Sequence, residues 1–150
     1  MNKLTIIQGV SGSGKSFTAR QLAKENDGII FSTDDFWGEE YNFDFKLLGK
    51  AHTWNQGRVE GAMVADHPYI IVDNTNTTPK EWKVYVDLGE KFGYNTLFQR
   101  PTSPWWEEIS PRIKNGTFTD KDVDVFFKKN THGVPFEVIK NMMGRFQYGE

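Results

Sequence analysis

The chain has no cysteine. That excludes disulfides and thiolate metal sites, and it suits a reducing compartment. A basic excess is also missing: 18 Lys and Arg stand against 20 Asp and Glu, a net charge of −2. A protein that grips long nucleic acid through many phosphates needs the opposite balance. A small molecule, or a partner bound at one end, fits better. No apolar run nears the ~18 residues of a membrane span. The opening stretch MNKLTIIQGV is too short in apolar residues for a signal peptide. No internal repeat or low-complexity linker breaks the sequence. These absences lead to the expectation of a soluble, cytoplasmic protein. Its 150 residues, 37% hydrophobic and 15% aromatic, predict a single domain over 1–150.

What is present begins with "GVSGSGKS" at positions 9 to 16. It fits G-x-x-x-x-G-K-[ST] at every fixed position, and its surroundings fit as well. The run Leu4-Thr5-Ile6-Ile7 reads as a buried strand before it, and residues 15–26 as a helix after it. Backbone N–H groups of such a loop cradle phosphates, and the helix turns its positive end toward them. Gly9, Ser11, Gly12, Ser13, Gly14, Lys15, Ser16 and Phe17 are the nucleotide-binding residues this predicts. Lys15 reaches the β- and γ-phosphates of ATP, and Ser16 offers its hydroxyl to Mg²⁺.

Two further apolar runs, Ile29-Ile30-Phe31 and Tyr69-Ile70-Ile71-Val72, predict strands, and Asn95 to Gln99 reads as a fourth strand. Helices are expected between them, with Gly28 as the left-handed stop of the first. A longer helix over 45–65 follows from Leu48, Ala51, Asn55, Val59, Ala62 and Met63 at spacings of three and four. Pro79 opens another helix, which Gly93 stops. Strand–helix alternation at this spacing implies a parallel sheet with helices on both faces. Beyond it, Ser103-Pro104 and Thr119 to Asp122 look like helix caps, and a final helix starts near Pro135. With polar turns and little core material, 101–134 reads as a mobile lid. Asp120, Asp122 and Asp124 read as a solvated helix face.

Acids end two of the strands, where open parallel sheets place their ligands. Asp73 reads as an aspartate ordering the Mg²⁺ shell, or as a turn residue. Asp34 and Asp35 offer a carboxylate that accepts a proton from an attacking hydroxyl, or simply cap the next element. On the long helix, His52, Trp54 and Asn55, together with Trp37, read either as an acceptor pocket with stacking indoles or as ordinary helix and core residues. His132 is a turn residue or a nucleotide contact. The base-reading N-K-x-D of switch GTPases is absent. A compact domain with a lid that excludes water suits a small phosphotransferase.

The stretches "GVSGSGKS", "STDDFW", "AHTWNQGRVEGAM", "IIVDNTNTTPKEWKVYV", "FGYNTLF" and "KKNTHGVPFEVIKNMM" carry a resemblance covering almost the whole chain; only about 105–125 looks inserted. The chain resembles the small P-loop polynucleotide 5′-hydroxyl kinase-like ATPases, including the kinase domain of phage polynucleotide kinase. The resemblance implies a P-loop kinase-like three-layer α/β sandwich with about four parallel strands and a helical lid. It also implies ATP as donor, Mg²⁺ as cofactor and a nucleic-acid 5′-hydroxyl as acceptor. It puts the general base on Asp34 and a contributing carboxylate on Asp73. Lys129 becomes a lid cation, and Val134 lies by the adenine. The family's arginine after the aspartate pair is matched by Trp37, and its lid arginine has no clear match, leaving Lys128, Lys129 or Arg112 to substitute. A kinase of a nucleoside, nucleotide or other small alcohol, and an ATP-gated protein-binding module, are the alternatives.

Overall fold

The computed structural model describes residues 1–150. Its strands are β1 (Lys3–Ile7), β2 (Ile29–Phe31), β3 (Tyr69–Asp73) and β4 (Asn95–Gln99). Helices α1 (Lys15–Asn26), α2 (Leu48–Val64) and α3 (Pro79–Lys91) alternate with them, and α4 (Pro104–Asn115), α5 (Asp120–Lys129) and α6 (Phe136–Arg145) follow. The strands form one parallel sheet in the order β2-β3-β1-β4. From β1 the chain leaves toward one edge and from β3 toward the other. The crevice between these two strands' C-terminal ends is therefore the switch point where such sheets bind ligands.

The central strands β1 and β3 are covered on both faces, which is why they are largely apolar runs, whereas the edge strand β4 leaves Leu97 exposed. Leu4, Ile6, Ile70 and Val72 alternate toward α2 and α3, where they meet Val59, Met63 and Tyr85. Ile7 and Ile71 point the other way, onto Ala19 of α1. A separate cluster joins the last three helices: Trp106, Ile109, Ile113, Val123, Phe126, Ile139, Met142 and Met143. Its ninth member is Val10, from the loop after β1.

Several expectations are corrected. The stop of α1 is Asp27, at φ 52°, with its N–H on the carbonyl of Ala23. Gly28 serves close packing instead, since a Cβ there would stand 2.7 Å from Tyr69 Cδ1. The long helix starts at Leu48; Phe45–Leu47 is a 3₁₀ turn whose first N–H groups include one bonded to the Asp44 carboxylate. The segment 101–134 is not poor in core. It supplies five of the nine buried residues of the helical cluster, because α4 and α5 both carry apolar stripes at three- and four-residue spacing. Asp122 is not solvated either: it is buried, completes a capping box with Thr119 and receives two hydrogen bonds from Arg112.

Candidate functional site

The loop from Gly9 to Ser16 turns at Gly12 (φ 82°) and Gly14 (φ 87°), backbone angles that side chains with a Cβ rarely adopt. At Gly12 a Cβ would also run into the Phe126 carbonyl, so the loop presses directly on α5. Two side chains of the α4 start hold it from the same side. Trp105 Nε1 donates to the Gly12 carbonyl at 2.9 Å, and Ser103 Oγ donates to the Ser13 carbonyl at 2.8 Å. From the sheet side, Gly9 N donates to the Thr75 carbonyl at 3.1 Å.

Inside this frame the Ser13 hydroxyl is buried with no hydrogen-bond partner. A buried polar atom without a partner costs free energy unless something fills the gap, and a phosphate oxygen has the chemistry to do so. Lys15 Nζ rests 3.4 Å from Asp73 Oδ1 in a largely buried pair. Lys15 thus lies at the crevice between β1 and β3, with its counter-charge supplied by the end of β3. No three His, Cys, Asp or Glu side chains converge as a metal cage. Mg²⁺ typically rests on one or two carboxylates plus substrate phosphates and water, and the Ser16–Asp73 pair fits that mode.

Beside the loop opens a cleft of about 730 Å³, lined among others by Ser16, Arg20, Asp34, Asp35, Asp73 and His132. Asp34 and Asp35 sit on the 3₁₀ turn Thr33–Trp37 that follows β2, capped by Ser32. Tyr41 OH donates to Asp34 Oδ1 at 3.0 Å, and His132 Nδ1 lies 3.2 Å from Asp34 Oδ2. Asp35 is paired with Arg58 at 3.0 Å. The same Arg58 nitrogen also donates to the Ser32 carbonyl (3.0 Å) and to Asn55 Oδ1 (2.8 Å), and the guanidinium lies 3.9 Å over the Trp54 ring. Arg20, one helical turn beyond Ser16, forms none of these ion pairs and faces the same cleft.

The expected acceptor pocket does not assemble. Trp37 is buried, edge-on against Phe36 and Phe43. Asn55 is fully buried and donates to the Tyr85 hydroxyl at 3.1 Å. Burial holds the His52 imidazole below its ordinary value; its Nδ1 meets Thr33 Oγ1 at 3.1 Å. Trp54 keeps some exposure, but Arg58 covers its face. His52, Trp54 and Asn55 lie on α2, which packs against the 3₁₀ turn carrying Asp34, Asp35 and Trp37. Arg112 is not a free cation for phosphate, because its guanidinium forks onto both oxygens of Asp122 at 2.7 and 2.9 Å. Lys128 is tied to Asp124. Lys129 lies 4.1 Å over the Trp105 ring, against the indole that holds Gly12. Val134 packs at the edge of the helical cluster, its N–H on Asn130 Oδ1. Phe17 is exposed on α1.

Two cleft residues escaped the sequence reading. The four-residue step from Ser16 puts Arg20 on the same helix face, so its position was legible. Tyr41 reaches Asp34 only through a loop with a left-handed backbone at the tyrosine itself (φ 50°), which no sequence pattern announces.

A strand, a phosphate-type loop and a helix at the switch point of a parallel sheet, with acids at the neighbouring strand ends, define a P-loop kinase-like domain. A family profile described as "AAA domain" matches residues 4–147, and the chain belongs to that family. Human NEDD4-binding protein 2 is 40% identical over 147 residues, which is 96% of this chain and 8% of that protein. The chain therefore spans under a tenth of that relative. Among solved structures, a chain of the Pnkp1/Rnl/Hen1 RNA repair complex superposes with a TM-score of 0.58 at 21% identity, covering 93% of this chain and 45% of that one. The Mycobacterium tuberculosis APS kinase CysC, solved with AMPPNP and APS, gives a TM-score of 0.51 at 17% identity, covering 79% and 76%. Both share the fold. No helix is long and apolar enough to cross a membrane.

Proposed function

We propose that this domain transfers the γ-phosphate of ATP to a 5′-hydroxyl end of a nucleic acid. One observation carries the reading: Asp34, a half-exposed carboxylate, shares a cleft with the phosphate loop's Ser16 and with Arg20, a cation without a carboxylate partner. Asp34 accepts the proton of the attacking hydroxyl as its oxygen bonds to the γ-phosphorus and ADP departs. Lys15 turns from Asp73 to the β- and γ-phosphates. Ser16 and Asp73 are the residues that would hold Mg²⁺, and a bound Mg²⁺ would supply positive charge against the phosphoryl oxygens. Arg20 meets a phosphate on the acceptor. A hydroxyl with a phosphate one nucleotide away is what a nucleic-acid 5′ end presents, and the net charge of −2 suits an end rather than a long duplex.

The test is transfer of labelled γ-phosphate to 5′-hydroxyl DNA and RNA oligonucleotides, nucleotides and nucleosides. Oligonucleotide labelling should fall by a factor of ~10²–10⁴ in Asp34→Ala with ATP still bound. Lys15→Ala should abolish labelling together with tight nucleotide binding. Label on nucleosides alone would move the acceptor to a small alcohol. No label on any acceptor, with ATP bound, would favour a gated binding module.

A further inference from the structure

Asp34 has both carboxylate oxygens taken by side chains from two different loops. Tyr41 comes from the loop after the 3₁₀ turn, and His132 from the loop between α5 and α6. Their rings stack at 4.1 Å between centroids and 11° between planes. Tyr41 holds its place in the left-handed region at φ 50°, an unfavourable backbone for a bulky side chain, of the kind that clusters at functional sites. The strain is offset by contacts that converge on one carboxylate. The phenol is also kept protonated: burial, then the Asp34 charge and hydrogen bond, push its pKa well above the ordinary value. It is therefore a fixed O–H donor to Asp34.

An alcohol O–H donating to Asp34 is the contact that an acceptor hydroxyl must make. Water makes the same contact and is present at far higher concentration than any acceptor. An uncovered Asp34 beside bound ATP would activate water and waste the nucleotide. We propose that Tyr41, braced by His132, is an internal stand-in for the acceptor hydroxyl, which keeps water off Asp34 until a true acceptor displaces it. This rests on Asp34 being the base of the proposed reaction. The stand-in is a specificity-determining residue against water, and the acceptor competes with it for Asp34 Oδ1. The loop carrying Tyr41 is well placed to yield, since Glu39, Glu40, Asn42 and Phe43 around it are exposed.

Tyr41→Phe removes the hydroxyl and keeps the ring. ATP hydrolysis without acceptor should rise at least fivefold, and the acceptor KM should fall, with kcat on the acceptor within twofold of wild type. His132→Gln, which loses the stacked ring, should move the same two quantities in the same direction. Hydrolysis and KM both unchanged in folded Tyr41→Phe, judged by an unaltered melting curve, would overturn the proposal. So would a matched fall in kcat and hydrolysis, which would mean that Tyr41 merely orients Asp34. Phosphate found on Tyr41 by mass spectrometry would overturn it too, since the phenol would then be a substrate. Hydrolysis is read without any acceptor. If wild type labels no acceptor while Tyr41→Phe still hydrolyses faster, the acceptor reading fails and the stand-in survives.

Discussion

The sheet-centred cluster and the helical cluster hold the same number of buried residues, nine each, so neither is an appendage of the other. Their construction differs. The first is made of strands buried on both faces, backed by α2 and α3. The second is made of stripes on three consecutive helices, with Val10 of the phosphate loop inserted among them. The chemistry divides along the same line. The sheet side brings Asp34, Asp35 and Asp73 from its strand ends. The helical side brings the His132 imidazole to the cleft, and it holds the backbone of the loop through Trp105, Ser103 and close packing of the Phe126 carbonyl. One half supplies the carboxylates of the proposed reaction, and the other braces the backbone of the phosphate loop.

That division can be broken by matched deletions. Phe126→Ala should cost about 3–5 kcal/mol and Leu4→Ala about 2–5 kcal/mol, both measured by denaturant unfolding. Only Phe126→Ala should also weaken ATP binding, by tenfold or more, because loss of the buried ring lets α5 shift and carries the Phe126 carbonyl away from Gly12. Equal loss of ATP affinity in both would erase the distinction.

A smaller effect tests what holds the helical half. Asp122→Asn should destabilise by about 1–3 kcal/mol at neutral pH. Hydrogen bonds from Arg112 hold the Asp122 carboxyl below its ordinary value against the opposing effect of burial. The native pKa is lowered, so the stabilisation is complete above about pH 4, the unfolded value, and is lost as pH falls through the native one. The gap between wild type and Asp122→Asn should therefore narrow in acid. The exposed Lys83–Asp87 pair on α3 gives the floor of the scale: Lys83→Ala should change stability by no more than about 0.5 kcal/mol.

The sheet and the phosphate loop were legible because their signals are local. A short apolar run and a loop with fixed glycines mean the same thing in most contexts. The capping residues Ser103 and Thr119 were legible for the same reason. Face and partner were not. Asn55 and Trp37 carry polar or stacking groups, and only tertiary packing decides that one is spent on Tyr85 and the other on Phe43. The helical cluster was underrated because each of its helices carries a narrow stripe amid charge, and the stripes sum to a core only when stacked. Asp27 shows the limit of a glycine rule: a neighbouring aspartate took the left-handed turn, while Gly28 was needed for contact with Tyr69.

The indole of Trp105 on the Gly12 carbonyl has a consequence that runs in reverse. If packing of α4 and α5 sets the affinity of the loop for nucleotide, linkage requires nucleotide to tighten that packing by the same free energy. Amide hydrogens of α5 would then report occupancy of the loop from outside the cleft. Their exchange should slow when ATP is added, and the slowing should be lost when Trp105 becomes Phe. The helical half would act as a gauge of ligation, readable by anything that binds its surface.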